Sequence, residues 1–235
     1  MKTADFVKGI MLFLLPTIFA SCDDGKIYPS ENDNFGGDGI TVTMIGNISG
    51  SENAYGSGYS LALAAFSDGN SFAVVSKSVG DGNDAVTLSN VSTSASIIEL
   101  CVINSLRKRV MTLASMSLEE GNEKNVTFNV GDIDASPFAV IDNNIFSATC
   151  IQCHGATGHA AAGLDLQPDE AYRMLVDVPS TVVEGLKRVE SGNASASTLW
   201  EAVATDKSAS WTFNHSNLLT SDESGFIENW INNLN

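Results

Sequence analysis

A short run in the second half of the chain contains residue types whose spacing suits a specific chemistry. Cys150 and Cys153 are separated by two residues, and His154 follows the second cysteine directly. This C-x-x-C-H pattern is typical of covalent haem c attachment. Two thiols on one turn can each add to a vinyl group of the same porphyrin, and His154 can then bind the iron as the proximal ligand. The motif therefore predicts one covalently bound haem c.

Three other kinds of site also use closely spaced cysteines. A structural zinc knuckle needs a fourth ligand at short spacing, and the chain has no second C-x-x-C pair. A thioredoxin-like redox pair belongs to a βαβ context, which the patterning of this chain does not indicate. A plain disulfide explains neither His154 nor the apolar segment before the motif. Haem c is the leading interpretation, and these three remain its alternatives.

The composition excludes several classes of protein. The 235 residues are 43% hydrophobic and 17% charged, with 20 Gly and 5 Pro, which excludes a disordered chain, a collagen-like repeat and a disulfide miniprotein. The chain has 12 Lys and Arg against 28 Asp and Glu, so its formal net charge is −16. Such an acidic chain repels phosphate backbones, so we expect no nucleic-acid partner. It favours redox partner proteins with a cationic docking patch.

The N-terminal segment is typical of an export signal. Lys2 and Lys8 give the first residues a positive charge. The apolar run that follows, over residues 10–19, is too short to span a bilayer as a stable helix. Small residues come directly before Cys22, an arrangement that resembles the bacterial lipobox. The resemblance implies a signal peptide over residues 1–21, a lipid on the Cys22 thiol and an acidic flexible tether over residues 22–38. We then expect a cell-envelope protein, lipid-anchored to a membrane and facing the periplasm or exposed on the cell surface. A plain secretory signal and a transmembrane anchor are the alternatives.

The elements that position the motif change character near residue 137. Residues 39–137 alternate apolar and polar side chains in about seven short segments separated by turn residues, which predicts an all-β antiparallel, Ig-like sandwich. Residues 138–235 have helical periodicity, and Thr220 with Glu223 forms a capping-box pattern before the last helix. We therefore expect two domains, a sandwich followed by a small all-α domain.

From about residue 138 onward the chain resembles the small class I cytochrome c domains that are fused to other modules in bacterial envelope proteins. The residues that carry the resemblance are the motif at 150–154, the GLDL segment at 163–166, the VESGNAS segment at 189–195, and the capped last helix with Trp230. The resemblance implies a small all-α cytochrome c domain over residues 138–235, with one haem.

The resemblance also raises the question of the second iron ligand. The family supplies a Met shortly before the last helix, but the corresponding loop of this chain, residues 211–220, has none. His215 stands in that loop, so His154 and His215 are our first hypothesis for the axial pair. Met174 is the alternative, and His159 is a third choice that lies very close to His154 in sequence. A bis-histidine site should have a lower reduction potential than a His/Met site.

Together these features predict a lipid-anchored monohaem c-type cytochrome that transfers electrons outside the cytoplasm, a carrier more than an enzyme. One alternative is an open-iron haem enzyme or sensor for peroxide or small gases. Another is a β-sandwich binding or adhesion lipoprotein with an accessory haem. No histidine precedes His154 and the sandwich region has no evident Ser-His-Asp set, so we expect no enzyme active site there.

Overall fold

Seven β-strands make up the first part of the structure, a computed structural model that describes residues 39–52, 55–118, 124–155, 160–205, 211 and 213–235. Each strand lies within a few residues of a segment that alternates apolar and polar side chains, because successive strand residues point to opposite faces of a sheet. The strands are β1 (Ile40–Ser49), β2 (Tyr59–Phe66), β3 (Val75–Ser78), β4 (Val86–Val91), β5 (Ile97–Asn104), β6 (Arg109–Ser117) and β7 (Asn125–Asp134).

The strands form two sheets, with the orders β4-β1-β7 and β3-β2-β5-β6. All pairs of the second sheet are antiparallel. In the first sheet β1 pairs antiparallel with β4 but parallel with β7. The prediction of an antiparallel sandwich is therefore wrong for this pair. Side-chain alternation is the same in either direction, so it cannot reveal strand polarity, whereas the long chain between β1 and β7 permits a parallel pairing.

In the described part of the chain, five α-helices and one π-helix follow the strands. The π-helix covers Asp142–Cys150 and lies directly between the first two α-helices. Short 3₁₀ turns occur at Ala161–Gly163, Ala194–Ala196 and Ser216–Leu218. The α-helices are α1 (Pro137–Ile141), α2 (Ile151–His154), α3 (Ala171–Leu175), α4 (Thr198–Ala204) and α5 (Ser221–Asn232).

The prediction of a small all-α cytochrome c domain is wrong. The longest α-helix among the described residues is α5, with 12 residues, and the molecule is mostly β-sheet. Between α3 and α4 the chain is held by isolated β-bridges, including Val176 with Val189 and Pro179 with Lys187. Pro179 and the valines of this segment favour extended backbone over helix.

The helices share a core with the sheets. Val42 of β1 and Leu100 of β5 are fully buried, and they belong to the same buried cluster as Ile141, Phe226 and Trp230 of the helical part. The apolar stripes that the sequence reveals on the helices therefore face the sandwich as well as one another. Burial against a ready-made apolar surface stabilises helices this short, which are marginal alone.

Helix α5 is attached to the strands at its N-terminus. Thr220 accepts a hydrogen bond from the Glu223 backbone at 3.2 Å, and the Glu223 carboxylate accepts one from the Thr220 backbone at 2.7 Å, so the predicted capping box is present. In the same turn Asp222 accepts hydrogen bonds from Lys108 at 2.7 Å and from Asn104 at 3.1 Å. Phe226 stacks on Tyr55, with ring centroids 5.6 Å apart.

We expect Asp222→Asn to lower the free energy of unfolding by about 1 kcal/mol at pH 7, because it removes a charge-assisted contact and a favourable charge at a helix N-terminus. The hydrogen bond from Lys108 lowers the pKa of Asp222 below its ordinary value of 3.8. The contribution is therefore present above pH 3.8 and is lost as the pH falls through the lowered pKa. Urea unfolding at several pH values measures it.

The matched control is Asp132→Asn, which removes the same charge from an exposed position on β7. The stability difference between wild type and Asp222→Asn should shrink as the pH falls from 3.8 through the lowered pKa of Asp222, because the carboxyl of the unfolded chain is protonated before that of the folded protein. An equal effect of the two substitutions at pH 7 would contradict a specific role for Asp222.

Candidate haem site

The C-x-x-C-H motif lies at the end of one continuous helical segment. It begins with Pro137 in the first turn of α1, where the Ser136 side chain accepts a hydrogen bond from the Ala139 backbone at 3.4 Å. The segment ends at His154. Its π-helical middle includes a backbone hydrogen bond from Ile151 to Phe146, five residues earlier. Such π-helical turns are frequent at functional sites.

The two cysteines of the motif are free thiols in different environments. Cys150 is half-buried and Cys153 is exposed. Burial, with a smaller contribution from the charge of Cys153, raises the pKa of Cys150 to about 11. Cys150 is therefore a neutral thiol at physiological pH. A redox-active dithiol needs a lowered thiol pKa, so this environment disfavours the thioredoxin-like alternative.

His154 closes the motif, and its ring orientation is set by a backbone carbonyl. Its Nδ1 lies 3.1 Å from the carbonyl oxygen of Ala161. A carbonyl oxygen can only accept, so Nδ1 carries the proton and donates. The neutral ring then has its lone pair on Nε2, the nitrogen that can bind a metal. Metal-binding histidines generally have such a partner for the second ring nitrogen.

His215 lies close to His154, on a loop just before α5. The centroids of the two rings are 6.3 Å apart, and their planes differ by 34°. Phe213 and Trp211 pack edge-on against the His215 ring, at 5.0 Å and 6.3 Å between centroids. The fold thus brings together the first-choice pair of the sequence analysis, His154 and His215, which are far apart in the sequence.

The environment of His215 suits a ligand for a metal. Its Nδ1 is buried and has no hydrogen-bond partner among the described residues, as is also the case for Nε1 of Trp211. A buried unpaired nitrogen costs free energy unless a ligand occupies it. Burial first, and the proximity of the His154 ring second, lower the pKa of His215. The ring is therefore neutral at physiological pH, and neutral imidazole is the metal-binding form.

The residues present fit a haem iron. Two imidazoles bonded at about 2 Å to opposite sides of one metal ion have ring centroids about 6 Å apart, and the two rings here match that separation. His154 and His215 would hold the iron of a haem, which would supply one-electron chemistry there. Cys150 and Cys153 lie one helical turn or less before His154, where they could hold the porphyrin edge.

The other ligand candidates have different positions. Met174 lies on α3, with a half-buried side chain and a backbone carbonyl that accepts a hydrogen bond from Arg188 at 2.9 Å. It remains the alternative distal ligand. His159, the third choice, and Cys22, the expected lipid attachment point, lie outside the described residues.

Sequence reasoning missed two features of the site. It did not identify the Ala161 carbonyl as the partner of His154, because a backbone atom leaves no residue-type signal. It also overlooked Phe213. Trp211, Phe213 and His215 alternate along the chain, and such spacing places side chains of an extended segment on one side. That alternation could have grouped the three aromatic rings.

Comparison of this chain with protein-family models, with curated proteins and with solved structures finds no match. Within the described ranges, no helix has both the length and the apolar character of a membrane span.

Proposed function

We propose that this protein is a monohaem c-type electron carrier that acts outside the cytoplasm. The single observation that carries the proposal is the proximity of two imidazoles, since the ring centroids of His215 and of His154, the last residue of the C-x-x-C-H motif, are 6.3 Å apart. The proposal does not require a separate all-α domain, since the site uses helices that share the core of the β-sandwich.

Each residue has a distinct role in this proposal. Cys150 and Cys153 would hold the porphyrin through two thioether bonds, and His154 and His215 would be the axial ligands. When bound, haem would supply one-electron chemistry between Fe(III) and Fe(II). Trp211 shields one side of the His215 ring from water, because its indole packs against that ring. A shielded neutral ligand favours a stable six-coordinate site.

The proximity of His215 to His154 favours a carrier over an enzyme or a gas sensor. An open-iron enzyme or sensor needs one free axial position for peroxide or a small gas. The buried Nδ1 of His215, which has no partner in the described part of the chain, and its neutral ring support ligation at that position instead. Two histidine ligands also support a reduction potential below that of a His/Met site.

The location and the partner of the carrier are inferred from the sequence. A lipid on Cys22 would keep the protein at a membrane while the chain after it faces the periplasm or the cell exterior. The net charge of −16 supports docking to redox partners that present a cationic patch, with association that weakens as salt is added.

An absorbance experiment tests the proposal. The chain is co-expressed with haem-attachment machinery, and its pyridine haemochrome and reduced-minus-oxidised spectra are recorded. We expect a low-spin c-type spectrum that carbon monoxide does not shift. A high-spin spectrum that shifts with carbon monoxide would favour the enzyme or sensor alternative. Absence of covalent haem would overturn the proposal and leave the binding or adhesion alternative.

A further inference from the structure

Arg188 is a buried cation that is bonded to backbone carbonyls instead of a carboxylate. The residue is only 8% exposed. The guanidinium donates to the carbonyl oxygens of Met174 at 2.9 Å, Gly163 at 3.0 Å and Ala162 at 3.5 Å. No ion pair of Arg188 occurs among the described residues. Burying a guanidinium is costly, so a position that keeps one has a specific use for its rigid fork of donors.

Two of the three carbonyls belong to the 3₁₀ turn Ala161–Gly163, whose backbone adopts an unfavourable conformation at Ala162. Ala162 has a φ of 53°, in the left-handed region that non-glycine residues seldom adopt. Such a residue costs about 1 kcal/mol or more and persists only where its surroundings hold it. Arg188 and Thr181 do so, since the Thr181 hydroxyl also donates to the Ala162 carbonyl, at 2.7 Å.

The same turn provides the partner of the proximal histidine. Its first residue, Ala161, accepts the hydrogen bond from Nδ1 of His154. Arg188 is thus linked to His154 through a single short turn. The guanidinium donates to the carbonyl oxygens of Gly163 and Ala162, and the carbonyl oxygen of the neighbouring Ala161 accepts from the imidazole. If the turn relaxed, the Ala161 carbonyl would move away from Nδ1 and the ring would lose the contact that fixes its tautomer.

We propose that Arg188 is a positioning residue for His154, which holds the Ala161–Gly163 turn so that Nδ1 keeps its proton and Nε2 keeps its lone pair. The effect of Arg188 on an iron rests on the function proposed above, but its effect on the tautomer of His154 does not. A hydrogen bond from Nδ1 makes the ring a stronger donor ligand, and a stronger donor stabilises Fe(III) over Fe(II). Arg188 therefore lowers the reduction potential through the turn.

The first test uses the full chain without haem, made in a host that lacks attachment machinery. Nitrogen-15 NMR of the histidine rings reports which nitrogen carries the proton. In the wild type we expect the Nδ1–H form of His154 to dominate. Arg188→Lys keeps the charge but loses the planar fork, and in this variant Nε2–H, the form favoured by free imidazole, should become the main tautomer. An unchanged tautomer in a folded Arg188→Lys protein would overturn the proposal.

Two further variants separate positioning from charge and from folding. Lys187→Gln removes a neighbouring cation that pairs with Asp177 and Glu190, and it should leave the His154 tautomer unchanged. Thr181→Val removes the second donor to Ala162 at an exposed position and should shift the tautomer in the same direction, but less. It keeps the proposal falsifiable if Arg188→Lys does not fold: an unchanged tautomer in Thr181→Val would then overturn it.

The second test uses the haem-loaded protein. Arg188→Lys should raise the reduction potential, and Lys187→Gln should not. Keeping the charge matters here, because removal of a cation near the iron would by itself lower the potential. If no haem attaches, the proposed function fails while the tautomer experiment still decides the role of Arg188. If haem attaches and the potential of Arg188→Lys is unchanged or falls, the role proposed for Arg188 at the iron is wrong.

Discussion

Replacing both Cys150 and Cys153 with alanine is expected to abolish covalent haem completely. In the proposed function each thiol would provide one thioether bond, and without either the porphyrin could be held only by reversible ligation to histidine. Acid–acetone extraction should then remove all haem from the double variant and none from the wild type. Denaturing gels stained for haem peroxidase activity provide an independent measurement of the same loss.

The single variants sharpen this prediction. Cys150→Ala or Cys153→Ala leaves one vinyl group conjugated with the porphyrin, so the α band of the pyridine haemochrome should move to longer wavelength. Cys101→Ala is the matched control, because Cys101 is fully buried among β-sheet residues, and burial raises its thiol pKa. Haem retained at wild-type level in the double variant would contradict the assignment of the motif.

The second large effect is expected from His215→Ala. Removing one axial imidazole should convert a low-spin six-coordinate haem into a mainly high-spin one, because water or no ligand then occupies that side of the iron. The reduced variant should bind carbon monoxide readily, whereas the wild type should not. Electronic absorption and electron paramagnetic resonance spectra measure the change of spin state.

Met174→Leu is the companion variant. It removes the sulfur atom that the sequence analysis gives as the alternative to His215, and it keeps the side-chain volume on α3. It should leave the spectrum low-spin. The opposite pattern, with His215→Ala unchanged and Met174→Leu high-spin, would assign the distal ligand to Met174. If neither variant changes the spin state, His159 is the remaining candidate.

Local features of the fold could be predicted from the sequence. The seven strands, the start of α5 at the Thr220 capping box and the helix that leads into Cys150 all follow from residue types within one or two turns of each other. The spacing of Cys150, Cys153 and His154 is equally local. A helix turn or a strand pleat relates near neighbours by fixed geometry, so the pattern carries the information.

The wrong prediction of a separate all-α domain also has a physical cause. The apolar stripes of α1 and α5 predict the interior of a separate all-α domain. Helical periodicity shows only that one face of a helix is apolar, however, and not which surface covers that face. In the structure Ile141 and Phe226 join the buried cluster of the sandwich. The parallel pairing of β1 with β7 was missed because it joins strands from opposite ends of the sheet region.

By itself, then, the sequence determined the spacing of the motif, the approximate positions of the strands and of α5, and the acidic charge of this protein, since each depends on residue types and short spacings. Only the tertiary structure decided which surface the helices cover, and it alone brings the His215 ring to 6.3 Å from that of His154. It also linked Arg188 to the turn that supports His154. These contacts join residues far apart in the chain, and they depend on how complementary surfaces pack, which no local pattern encodes.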